Sequence, residues 1–234
     1  MAAETQVLVD NEKKYIAKFF SDASESDVKK VDISTLSWAK HTITLSGAAS
    51  PNFKIGEVLS VGAEKYLVTG FTAGASTVEV VGWDNTNKKA TAIDASSSNG
   101  DAVSGGVSGN NTRTYSSIAE QDFNVLVTKI MWITNGLQVA IEWDGSGSEA
   151  YIAELSGNGS WSMPGNEWPG IGINASGDSG NVLGDIQFST TDHGSGDSYT
   201  IIMELKKQSG YDIPAYEQNN ILGYPVDYLL GNFT

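Results

Sequence analysis

Cysteine is absent from the 234 residues, so no disulfide or thiolate metal site staples the fold and packing alone must hold it. Basic residues are few: 14 Lys and Arg stand against 28 Asp and Glu, for a formal net charge of -14. That balance opposes contact with a phosphate backbone and excludes nucleic acid as the expected partner. Between Lys129 and Lys206 there is no basic residue, while Glu142, Asp144, Glu149, Glu154, Glu167, Asp178, Asp185, Asp192, Asp197 and Glu204 fall inside. Such a stretch keeps a subunit soluble and away from polyanions. Long apolar runs are missing too. None approaches the roughly 18 residues of a membrane helix, so no membrane partner is expected. Residues 1–5 lack a basic flank followed by an apolar stretch, so no signal peptide is read and assembly in the cytoplasm is expected.

What is present is β texture. Hydrophobic residues at 40% and aromatics at 9% argue for a packed core and against disorder, and the length suits one large β domain or two small ones. The organising stretch is residues 123–207. Its first run, residues 125–133, is apolar and rich in β-branched side chains, and it ends at Asn135-Gly136, a pair that favours a type I′ hairpin turn. In the return run Val139, Ile141 and Trp143 share one face, and Gln138, Ala140 and Glu142 the other. Further strands are read at residues 151–155, 186–190 and 199–205, separated by Asp144-Gly145-Ser146-Gly147 and Gly157-Asn158-Gly159. Short strands with glycine-rich turns and no helical period point to an all-β sandwich or jelly roll.

Taken in order, residues 6–10 and 14–20 read as a strand pair or as a strand after a short arm, with a helix over 11–20 as the alternative that the β-branched and aromatic neighbours oppose; residues 21–27 read as a polar turn, and residues 28–33 as a further strand. Five short strand candidates follow at residues 41–45, 58–61, 66–69, 77–81 and 90–93, enough for a small barrel or a compact β insertion. The Ser/Gly/Asn-rich residues 96–111 read as a flexible linker or long loop. After Lys207 the chain is apolar but irregular, with Pro214 and Pro225 in it. Such a tail either covers its own sandwich or lies on a neighbouring subunit. Its anchors in the second reading are Tyr211, Tyr216, Tyr224, Tyr228, Leu229 and Leu230.

Catalytic readings are weak on inspection. The two histidines are His41, opening a strand, and His193, in the loop Asp192-His193-Gly194-Ser195-Gly196-Asp197. A Ser/His/Asp set there lacks the strand–turn–helix elbow that presents a nucleophile. Glu142 and Asp144 lie two apart on a strand, which reads as a solvated strand end better than as a glycosidase pair. The loops at 144–149 and 174–178 offer oxygen ligands without the EF-hand spacing for calcium. Neither a cofactor nor a metal is expected. Trp143 is in phase with the core, whereas Trp161 and Trp168 carry an alternative, a glycan-binding module that stacks sugar rings on exposed aromatics.

Two segments carry a resemblance. The opening, with Phe20-Ser21-Asp22-Ala23-Ser24-Glu25 and Val31-Asp32-Ile33-Ser34-Thr35-Leu36, is similar to the start of a group of tailed-phage virion proteins from marine and cyanobacterial phages. So is the central segment, with Val139-Ala140-Ile141-Glu142-Trp143, Gly157-Asn158-Gly159-Ser160-Trp161, Gly184-Asp185-Ile186 and Ser195-Gly196-Asp197-Ser198-Tyr199-Thr200-Ile201-Ile202. The similarity covers about half of the chain. It implies a β-sandwich or jelly-roll-like module from residues 1–38 and 120–207, an inserted small β-barrel-like subdomain at 39–119, and an extended C-terminal arm at 208–234. It also implies a non-enzymatic capsid decoration or cement protein, or a neck or tail ring component. The partners would be the major capsid protein, copies of itself, or both, with a trimer as one arrangement, and residues 1–12 and the tail would serve as arms.

Overall fold

The computed structural model describes residues 3–46, 53–72, 75–93, 99–105, 113–120, 123–145, 150–163, 171–172 and 182–211. They form fifteen strands and one short 3-10 turn, Ile33–Thr35. The strands are β1 (Glu4–Asp10), β2 (Lys14–Ser21), β3 (Val28–Val31), β4 (His41–Leu45), β5 (Val58–Val61), β6 (Glu64–Phe71), β7 (Thr77–Asp84) and β8 (Lys89–Thr91). They continue with β9 (Ala102–Gly105), β10 (Arg113–Glu120), β11 (Val125–Gly145), β12 (Ala150–Ser162), β13 (Ile171–Gly172), β14 (Val182–Thr191) and β15 (Ser198–Lys207). The protein is all-β and sandwich-like. It divides into two compact units, Met1–Ile33 with Phe123–Ser209, and Ser34–Asp122 with Gly210–Thr234.

In the first unit every other strand is placed by β11. Along one side runs β12, from Trp143↔Ala150 to Lys129↔Ser162. Along the other side lie two strands end to end: β14 against residues 138–145 and β15 against residues 125–135. Outside these, β3 pairs with β14, β2 with β15, and β1 with β2. The connectors 22–27 and 192–197 therefore interrupt neighbouring strand lines at the level where β11 and β12 slip register, between Ile133 and Gln138.

That level is a corner. Between the slip at Val127/Lys129 and the corner the buried β11 positions are Ile130 and Thr134; after the corner the buried apolar positions are Leu137, Val139, Ile141 and Trp143. A change from even to odd numbering is what a bulge produces, because side chains alternate with a period of two. Asn135-Gly136 is thus not a hairpin turn. Gly136 does take a positive φ of 78°, and Gly157 on β12 one of 63°, but each is spent on bending a strand that is paired through the corner. The expected break at Gly157-Asn158-Gly159 likewise lies within β12. The two sides of the bent sheet close on one core: Phe19 of β2 meets Phe188 of β14 edge-on at 5.2 Å, and Phe188 meets Tyr199 of β15 at 6.0 Å.

A buried polar network pins the corner. Lys30 Nζ lies 2.6 Å from Glu25 Oε1, with the two side chains 5% and 4% exposed. Tyr199 donates its hydroxyl to Glu25 Oε2 at 2.7 Å. The Glu25 amide donates to Thr190 Oγ1, and the Thr190 amide to the Glu25 carbonyl. The Lys30 ammonium also stands 5.8 and 5.9 Å from the ring centres of Phe188 and Tyr199. Residues 21–27, read from sequence as a polar turn, are thereby stitched to the neighbouring strand line. At the far end Lys207, fully buried, reaches Asp10 Oδ1; burial lowers its pKa against the pull of that carboxylate.

In the second unit the strands pair in a closed ring, β4-β10-β9-β5-β6-β7 and back to β4 through His41↔Val80 and Thr44↔Thr77, with β8 added on β7. Closure leaves no free edge in the ring. Its core holds Ile43, Leu45, Phe53, Leu59, Val61, Tyr66, Val68, Val78, Val80, Val103 and Tyr115. The expected linker at 96–111 contains β9, a member of this ring. Gly82 is required where it stands, because a Cβ there would collide with the Thr91 and Ala92 carbonyls.

The network has a pH signature. Burial foremost, and the Glu25 carboxylate after it, hold the Tyr199 phenol well above its usual range, while burial pushes Tyr15 up to about 12. The folded state therefore keeps protons that the unfolded chain gives up above about pH 10. Stability is full below that pH and falls as the pH climbs through it. Tyr199→Phe is expected to cost about 1–3 kcal/mol at neutral pH, since Glu25 Oε2 loses its donor, and to flatten the alkaline fall. Urea unfolding of both proteins between about pH 8 and 11 checks this; parallel alkaline slopes would refute it.

Candidate functional site

The residues of β2, β11 and β15 that alternate with the core positions form the outer face of the sheet on one side of the corner. Across it, Met131 sits between Ser160 and Ile202, and Ile133 between Asn158 and Thr200. Ile202 and Thr200 continue to Lys18 and Phe20 on β2, and these to Gln6 and Glu4 on β1. Met131 is 40% exposed and Ile133 63%, high for such side chains in a sheet. They line a groove of about 380 Å³ with Ile202, Thr200, Asn158 and Ser160, and a smaller hollow of about 70 Å³ lies among Glu4, Gln6, Lys18 and Phe20. The same face carries Lys14, Lys18, Lys129 and Lys206 against Glu4 and Glu204. In a chain with twice as many acids as bases, this surface is locally cationic beside an apolar centre.

A second concavity opens on the core side near the β12 edge. It measures about 290 Å³ and is lined by Ile130, Trp132, Ile152, Ala153, Glu154, Leu155 and Trp161. Trp132 is held there twice over: its Nε1 donates to the Ser156 carbonyl at 3.2 Å, and its ring lies against the backbone of Gly159, where a Cβ would fall inside the indole. Trp161 is half-buried beside it.

The expected site residues fare differently. Tyr211 is buried, 2% exposed, in its own chain, so it is not an anchor offered to a partner; Gly210 before it accepts the Lys40 amide. Tyr216, Tyr224, Tyr228, Leu229, Leu230 and Trp168 lie outside the described residues. The expected N-terminal arm is corrected as well, because residues 4–10 form β1 and pair with β2 of the same chain. Trp143 is in the core, 1% exposed. Glu142, expected to be solvated, is 4% exposed and pairs across strands with Gln187. His41 Nδ1 meets the Ala39 carbonyl and His193 Nε2 the Asp22 carbonyl. Asp197 accepts the Gly194 amide as a turn cap. Of the calcium-like loops, 146–149 and 174–178 lie outside the described residues, and among the described residues no three acids or histidines cluster to hold a metal. Trp132 and the lysine face escaped the sequence reading.

No protein-family model matches this chain, and no curated protein matches it. One solved chain, described as "Complete structure of manganese lipoxygenase of Gaeumannomyces graminis and partial structure of zonadhesin of Komagataella pastoris", aligns over 90% of this chain and 84% of that chain at 9% identity. Its TM-score is 0.16, and at that value it carries no argument.

The Trp132 seat is testable alone. Gly159→Ala is expected to displace the indole, cost about 1–3 kcal/mol by overpacking, and red-shift the tryptophan emission. Urea melts with fluorescence detection check it; unchanged emission and stability would mean that the ring does not rest on Gly159.

Proposed function

We propose that this chain is a non-enzymatic structural protein of a tailed-phage particle, a decoration or cement protein bound to the major capsid protein. The observation that carries the reading is the exposed Met131/Ile133 groove on a broad sheet face flanked by lysines: a surface shaped for another protein, since its polar groups do not converge on one point as a small-molecule site requires. The resemblance of residues 15–37 and of the central segment from Val139 to Ile202 to phage virion proteins supplies the particle. A cement protein works by repetition. An interface of about 800 Å² per partner, made at every equivalent position of the shell, resists internal pressure through multivalency rather than through one strong contact. A ring component of the neck or tail, made of copies of this chain, uses the same kind of surface.

One observation favours a second reading, a glycan-binding module: the cleft holding Trp132 and Trp161 offers two indole walls and the Glu154 carboxylate. Trp161→Ala is then expected to abolish binding on a glycan array while leaving the unfolding midpoint in place.

Copy number relative to the major capsid protein in purified virions, by quantitative mass spectrometry, tests the particle reading. A simple integer ratio is expected for shell decoration. A handful of copies moves the chain to the neck or tail, and its absence from the particle overturns the proposal. Deleting residues 212–234, which leaves Gly210 and Tyr211 in place, is expected to preserve the fold and weaken particle binding; a truncated chain that decorates shells normally would remove the tail from the interface.

A further inference from the structure

We infer that the cationic outer face is a docking surface for a second copy of this chain, in a head-to-tail contact. The occupant follows from charge. The face sets four lysines, Lys14, Lys18, Lys129 and Lys206, level with the exposed Met131 or on the side of it away from the corner, with Glu4 and Glu204 as its acids. The chain as a whole carries -14, so outside this face the 26 other acids outnumber the 10 other bases (28 less Glu4 and Glu204; 14 less the four lysines), and another copy offers surface that is on balance of the complementary sign. Two such faces meeting across a two-fold axis would bring lysines against lysines, so an isologous pair is disfavoured and a heterologous contact is left.

The complementary surface is the corner ridge of the same unit. There the two connectors expose Asp27 and Asp192, stitched in place by the Asp27–Ser189 hydrogen bonds and by Gln138 Nε2 on Asp192. Both residues hold positive φ, 51° and 59°, and so stand on tight turns rather than on mobile strand ends. A fixed acidic ridge entering a groove of about 380 Å³ with lysines on one side of it combines apolar burial with steering. A head-to-tail contact closes into a ring when its rotation divides a full turn and otherwise runs on as a filament. This inference gives to a second copy the face that the shell-decoration reading gives to the major capsid protein, and so favours the ring arrangement over decoration; it does not need the particle, because it concerns the purified chain by itself.

The test uses sedimentation velocity on the purified full chain across the micromolar range, with three variants. Wild type is expected to associate at low salt, and high salt is expected to raise the dissociation constant by about tenfold or more as the charges are screened. Ile133→Asp alters the exposed face, and Asp27→Asn with Asp192→Asn neutralises the ridge while keeping residues that tolerate positive φ. Each variant is expected to be monomeric with an unchanged urea midpoint. Mixed together they are expected to form a one-to-one dimer that grows no further, since one supplies an intact ridge and the other an intact face. The third variant, Lys18→Glu with Lys129→Glu, is expected to behave like Ile133→Asp. A wild-type chain that stays monomeric at low salt overturns the inference. So does association that survives Ile133→Asp, or a mixture of the two monomeric variants that stays monomeric.

Discussion

The Lys30–Glu25 ion pair, closed by the Tyr199 hydroxyl, is the interaction on which the first unit depends. Both charges are almost fully removed from water, which costs several kcal/mol per ion unless the partners are well placed and their remaining hydrogen-bonding capacity is met. Here each requirement has a named provider. Lys30 has Glu25 Oε1 and two aromatic faces, and Glu25 has Lys30, Tyr199 and the two backbone bonds with Thr190. Glu25 belongs to the connector between β2 and β3, Thr190 to the end of β14 and Tyr199 to the start of β15. The pair is satisfied only when both strand lines turn at the same level. A buried pair stabilises little by itself; its consequence is specificity for one bend position.

The bend explains why, among the described residues, no second layer covers the outer face. A flat sheet of this width would need a second sheet or a helix layer on one side. Folding β11 and its neighbours at the corner lets the sheet act as its own second layer, so Phe19, Phe188 and Tyr199 pack within one element. The reverse side of the same strands is then turned outward, with Met131 and Ile133 in it. An exposed apolar centre and a self-contained core are therefore two results of one geometric choice.

Much of this was legible from alternation alone. The phase of Val139, Ile141 and Trp143 placed them in the core, and the strand candidates from His41 to Ile93 were read from β-branched runs between Gly, Pro and Asn breaks. The corner was not legible, because Asn135-Gly136 carries the same local preference for a bulge as for a hairpin. What decides is the pairing of β12, β14 and β15 on both sides, which is set by residues far away in sequence. β9 was hidden by its setting among Ser, Gly and Asn. The lysine face was hidden for another reason: Lys14, Lys18, Lys129 and Lys206 come from opposite ends of the chain, and the long stretch without bases that suggested a uniformly acidic module ends at the residue that completes the cluster.

Edge and face make different demands on association. The ring of the second unit closes on itself, so its strands present no unpaired ladder. Among the described residues the sheet of the first unit stays open at β1, β3 and β12; at the β1 edge Val7 and Leu8 are 54% and 47% exposed. That edge is blunted: the register slips between Val7 and Val9, and a bulge with flanking acids is a recognised guard against strand addition. The outer face has no such guard. Its apolar residues are flush with regular ladders on β11 and β15, and its charge differs in sign from the rest of the chain. Where the β1 edge is guarded and the face is not, contact through side chains is favoured over strand addition, with the discrimination that a pattern of charges allows.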